Sequence, residues 1–101
     1  MRKLIFHDLA KQDLKLIRAF TVKKWGVNQA NKYLMDMSKT IQLIKKNPLL
    51  GVKKPDVHDT AYGFVYKSHM IYYQYNRDCV VIAGVLHQSR LPKKHLIGRI
   101  L

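Results

Sequence analysis

TAYGFVYKSHMIYYQYNRDCVVIAGVLH, residues 60–87, decides the fold of this chain. It is a succession of β-branched and aromatic runs broken at Lys67-Ser68 and again at Asn76-Arg77-Asp78. Runs of that length with breaks of two and three residues predict a three-strand antiparallel meander. The last run, CVVIAGVLH, is apolar almost throughout and reads as a buried strand.

Upstream of the meander the hydrophobic period changes from two to about 3.6. Ala10, Leu14, Ile17, Thr21 and Trp25 recur at spacings of three and four, which is one face of a helix, and Asp8 stands where an N-cap is expected. Trp25 at the end of that face reads as a core plug. Gly26 interrupts the pattern, Asn28 is the expected cap of a second helix, and Ala30, Tyr33, Leu34, Met37, Ile41 and Ile44 form its apolar face. So short a link predicts a helical hairpin. The second helix should end at Asn47-Pro48, because the residue before proline is pushed out of helical geometry. LLGVKKPDVHD then reads as loop. Residues 2–6 read as a short strand, and a last short helix is expected in the tail LPKKHLIGRIL, starting near Pro92. The expected fold is therefore α+β over a single domain, residues 1–101: N-terminal strand, two-helix hairpin, three-stranded antiparallel meander, short C-terminal helix.

Charge sets the functional classes. Nineteen Lys and Arg stand against six Asp and no Glu, a formal net charge of +13 on 101 residues. Self-repulsion of that size calls for a polyanionic or acidic partner. Cys79 is the only cysteine, so no internal disulfide and no cysteine-based zinc site is expected, and a reducing cytoplasm is the simplest setting. The first apolar run ends after three residues at His7-Asp8, too short for a signal-peptide core, and nothing approaches a transmembrane length; no membrane role is expected. The histidines at 7, 58, 69, 87 and 95 lack metal-ligand spacing, so neither metal nor cofactor is expected. The aspartates scatter over helix starts and turns, where capping accounts for them and paired-carboxylate hydrolysis does not.

What remains is a basic, imidazole-rich set at strand ends. Lys53 and Lys54 precede the meander, Lys67 and His69 flank its first turn, and His87, Arg90, Lys93, Lys94 and His95 follow its last strand. Antiparallel pairing brings the end of the last strand beside the start of the middle one, so Lys67, His69 and His87 are expected to be neighbours. Such a group can grip anions, and a histidine within it can move a proton near neutral pH. On the first helix Lys11, Lys15 and Arg18 form a basic flank about a quarter turn from the core stripe, where an acidic partner would gain most. The five tyrosines of the meander read as sheet packing rather than base-stacking platforms.

The order of several short motifs resembles the RelE/ParE family of bacterial type II toxins. These are Asp13-Leu14 with Ile17, Trp25-Gly26 with Gln29-Ala30 and Tyr33, Asn47-Pro48 with Gly51, Ser68-His69 with Ile71 and Tyr73, and Val85 to Ser89 ahead of His95-Leu96. The Trp-Gly and Leu-His-Gln elements are closer to the ParE branch. That resemblance implies a toxin neutralised by an acidic cognate antitoxin and acting on DNA gyrase without chemistry of its own. Lys67, His69, His87, Arg90, Lys93, Lys94 and His95 would then be target contacts, and Lys11, Lys15 and Arg18 antitoxin contacts. The RelE branch implies instead an endoribonuclease acting on mRNA at the ribosome, its work falling to Lys53, Lys54, His87, Arg90 and His95. The chain departs from both patterns: Ser89-Arg90-Leu91 stands where ParE-like chains commonly carry Met-Asp, and no glutamate exists to serve as a nuclease base.

Overall fold

The computed structural model describes residues 2–99; Met1 and the last two residues of the tail expected to be helical lie outside them. Strand β1 (Lys3–Phe6) leads into helix α1 (Asp8–Trp25) and helix α2 (Val27–Lys46), followed by a single 3-10 turn at Pro48–Leu50. Strands β2 (Val52–Lys53), β3 (Tyr62–Tyr66), β4 (His69–Tyr75) and β5 (Cys79–His87) come next, and helix α3 (Pro92–Leu96) closes the described chain. The α+β architecture expected from the sequence is the one observed.

The sheet runs β1-β5-β4-β3-β2. The meander is antiparallel, and β1 joins it parallel to β5, Lys3 opposite Cys79 through Phe6 opposite Ile82. Between β4 and β5 the register skips Ala83, since Tyr72 opposes Gly84 while Tyr73 opposes Ile82. One extra residue reverses the alternation. Val80, Ile82 and Val85 consequently all reach the core beneath the helices, with Ile17, Met37, Ile41, Ile44, Ile71 and Tyr73. A smaller cluster of Tyr72, Ala83, Leu86 and Leu96 covers the other side of the sheet and seats α3.

Local details differ from the sequence reading in four places. Asp8 does not cap α1; His7 does, its Nδ1 accepting from the Leu9 N–H at 3.1 Å, and Asp8 takes the first helical turn, where the dipole favours its charge. Nor does Asn28 cap α2, because Gly26, at φ 95°, is the whole link: its N–H closes α1 on Val22 and its carbonyl accepts from Ala30. A side chain is strained at that φ, so glycine makes the one-residue hairpin feasible. The stretch read as loop contains β2, whose two residues are too few to show an alternation; it pairs with Tyr62 and Gly63. Finally, Trp25 is not a core plug but 64% exposed.

Tyr73 ties this edge down. Its hydroxyl donates to the Pro48 carbonyl and accepts from the Gly51 N–H at 2.9 Å, and burial pushes its pKa up to about 12. A Cβ on Gly51 would lie 2.2 Å from that hydroxyl oxygen, so the position admits only glycine without displacement.

Candidate partner-binding cleft

The bulge that turns Val85 toward the helices turns His87 the same way. His87 faces His69 across β4 and β5 as its register partner, ring centroids 5.5 Å apart and planes at 87°. Above them lies α2, whose Tyr33 hydroxyl is 2.7 Å from His69 Nδ1. Burial, and secondarily His87, hold His69 below the usual imidazole range. His87 Nδ1 accepts from the Ser89 N–H at 3.1 Å and lies 2.7 Å from its hydroxyl, which assigns the neutral ring's hydrogen to Nε2.

Lys67 opens the two-residue turn before His69. Among the described residues it alone, outside glycine, has positive φ, 53°, in the left-handed region that glycine usually fills in such turns. Its ammonium sits 5.5 Å and 5.6 Å from the ring centroids of Tyr33 and Tyr66. Gln88 braces the turn, donating from its backbone to the Ser68 carbonyl and from its amide to the Lys67 carbonyl.

These groups form one end of a cleft of about 730 Å³ between the helical hairpin and the sheet. Its α1 wall carries Leu16, Phe20 and Trp25, each more than 60% exposed. Lys24 stands between the rings of Phe20 and Trp25, 5.6 Å and 5.5 Å from their centroids. Gln29 and Tyr33 line the α2 side, and Arg90 lies beyond His87. The one carboxylate in the wall among the described residues, Asp13, is committed: Arg99 binds it at 2.6 Å and the Val85 N–H donates to it at 3.1 Å. It is a mid-helix ion-pair partner and not the capping aspartate the sequence suggested.

The expected basic set is thus divided. Lys67, His69, His87 and Arg90 share the cleft. Lys93, Lys94 and His95 ride on α3, which Leu96 anchors in the cluster on the other side of the sheet. Lys53 pairs with Tyr62 at the start of β3, roughly 13 Å along that strand from its His69 end, and Lys54 follows it. The nuclease constellation is therefore not assembled in one place. Lys11, Lys15 and Arg18 are exposed on the side of α1 away from the cleft, with Arg18 bonded to Asn31. Among the described residues no group of three or more His, Cys, Asp or Glu gathers as a metal set, and no helix is long and apolar enough to cross a membrane.

Leu16, Phe20 and Lys24 escaped the sequence reading, as did Arg99. The signal for the first two was present: apolar residues four apart, off the core stripe, on a face that should be solvated.

Comparisons with known proteins agree with this fold. The sequence profile described as "ParE toxin of type II toxin-antitoxin system, parDE" matches residues 4–92. Toxin ParE1 of Caulobacter vibrioides is 32% identical over 87 residues, covering 86% of this chain and 90% of that protein. The solved structure described as the chromosomal ParDE TA system from P. aeruginosa superposes with a TM-score of 0.76 at 16% identity, covering 86% of this chain and 96% of that one. At that identity the structural likeness speaks to fold alone.

Proposed function

Since this chain belongs to the ParE toxin family of type II toxin-antitoxin systems, we propose that it arrests growth by inhibiting DNA gyrase through surface contact in the cytoplasm, and that an acidic cognate antitoxin neutralises it by filling the cleft. The observation that carries this reading is the exposed row Leu16, Phe20, Trp25 rimmed by Lys24, Lys67 and Arg90, in a chain of net charge +13. Exposed apolar side chains at this density mark a protein partner, and their spacing along α1 suits an amphipathic segment laid into a groove. Cations at the rim select an acidic one.

On this reading Lys67, His69, His87 and Arg90 contact the target and are masked when the antitoxin is bound, while Lys93, Lys94 and His95 add a second target contact from α3. Lys11, Lys15 and Arg18 steer the antitoxin along the hairpin. The runner-up, a ribosome-dependent endoribonuclease, draws support from His87 and Arg90 sharing the cleft; it lacks Lys53, Lys54 and His95 beside them.

The test is genetic. Expression of the chain should arrest growth, and co-expression of a small acidic protein from a neighbouring reading frame should restore it. Phe20→Asp should weaken that rescue by putting a carboxylate where an acidic, apolar-anchored segment must sit. Rescue of the Phe20→Asp toxin as complete as that of the unaltered one would remove the cleft as the antitoxin seat.

A further inference from the structure

The sheet end of the cleft is short of negative charge. Its two imidazoles stand 5.5 Å apart with Lys67 in the turn before one and Arg90 three residues after the other. Tyr33 faces them from α2, Tyr66 and Ser89 from the sheet and its end, and Lys24 and Asp13 from α1. Two carboxylates come near and both are engaged, Asp13 by Arg99 and Asp36, on the far side of Tyr66, by Lys32; none of the groups just named besides Asp13 is a carboxylate. The site is built for an anion it does not itself supply.

We propose that Lys67, His69, His87 and Arg90 form a recognition subsite for a carboxylate side chain of the acidic partner, and that one imidazole takes up a proton when the subsite fills. The proposal rests on the antitoxin reading above and deepens it. A carboxylate entering between Lys67 and Arg90 places a negative charge beside two imidazoles that have none of their own, and so favours the imidazolium. Tyr33 can accommodate the change, since its hydroxyl either donates to His69 Nδ1 or accepts from it. Half-burial of His69 keeps the interaction partly out of bulk solvent, so that it is screened less than an exposed pair. A phosphate offers similar chemistry, but the adjoining apolar row is suited to a protein side of the interface and not to a ribose-phosphate chain.

Binding that takes up a proton must tighten as pH falls, by at most tenfold per pH unit for each proton. Titration calorimetry of the intact protein with a hexaglutamate peptide, at constant ionic strength, should show affinity rising about tenfold between pH 7.5 and pH 6.0. Measured proton uptake, from buffers of different ionisation heat, should be positive. His87→Gln together with His69→Gln, checked for folding by thermal unfolding, should flatten the pH dependence to less than twofold, and Lys67→Met with Arg90→Met should weaken binding at both pH values. Hexauridylate, run in parallel, should show no pH-linked binding. The proposal is overturned by a pH-independent affinity, by a slope that survives His87→Gln together with His69→Gln, or by pH-linked binding of hexauridylate alone. The growth-rescue test is read at one pH, so the antitoxin reading and this subsite stand or fall separately.

Discussion

Tyr73 and His69 show how single side chains hold the edges of this structure. Tyr73 satisfies both Pro48 and Gly51 from within the core, so Tyr73→Phe leaves two backbone groups unpaired and should cost about 1–3 kcal/mol. Gly51→Ala meets the same hydroxyl with a methyl group and should cost a similar amount; equilibrium urea unfolding reads both. His69 gives a pH signature. Its folded-state pKa lies below the ordinary 6.5, so the unfolded chain binds the proton more readily. Stability is then fully present above about pH 6.5 and is lost as pH falls from there through the lower folded value. Thermal unfolding should show Tm dropping across that window, with a smaller drop in His69→Gln. Lys67 is the opposite case, a lysine at positive φ that the proposed reading makes a target contact: Lys67→Gly should hold or raise stability, by up to about 1 kcal/mol, while weakening growth arrest. Loss of stability with arrest intact would make Lys67 merely structural.

At the scale of elements, the fold was legible wherever a period ran for several residues. The meander's boundaries followed from the breaks at Lys67-Ser68 and Asn76-Arg77-Asp78, and the α2 face from Ala30 to Ile44 is buried or half-buried as its spacing required. Contacts distant in sequence were not legible. Beyond β1, the outer edge of β5 is closed by side chains: Asp13 takes the Val85 N–H, and Arg99 reaches the Ala83 carbonyl at 3.3 Å. Residues 13 and 99 are joined only by the fold, so no local pattern announces them. Trp25 was misplaced for a related reason, since the helical period carries it round to the core side while, as the last residue of α1, it stands exposed in the cleft wall. Removing one member of a nearly buried ion pair leaves the other uncompensated, and Arg99→Met should cost about 3 kcal/mol. Asp13→Leu combined with Arg99→Met should recover part of that loss. Additive costs in the double variant would show that the pair does not act as a unit.

The molecule as a whole is a cation with an apolar cleft, and the two properties divide the labour of recognition. On the proposed reading the net charge of +13 draws an acidic partner in, and the exposed row of Leu16, Phe20 and Trp25 is where it seats. Reversing charge at Lys15 and Arg18 should slow association with the antitoxin and flatten its salt dependence, leaving dissociation little altered; an on-rate equal to that of the unaltered chain would exclude the outer face of α1 from steering. Phe20→Asp should instead speed dissociation. How the target is met follows from the same surface, because the antitoxin is held to cover what the toxin uses. On the proposed reading this surface acts by contact with gyrase. The decisive measurement adds the purified protein to gyrase, supercoiled plasmid and ATP and counts linearised plasmid after denaturation. Cleaved DNA should accumulate with toxin concentration, and Lys67→Glu with Arg90→Glu, still folded, should abolish it, while mRNA on ribosomes stays intact; ribosome-dependent cuts in mRNA with no cleaved plasmid would overturn the gyrase reading.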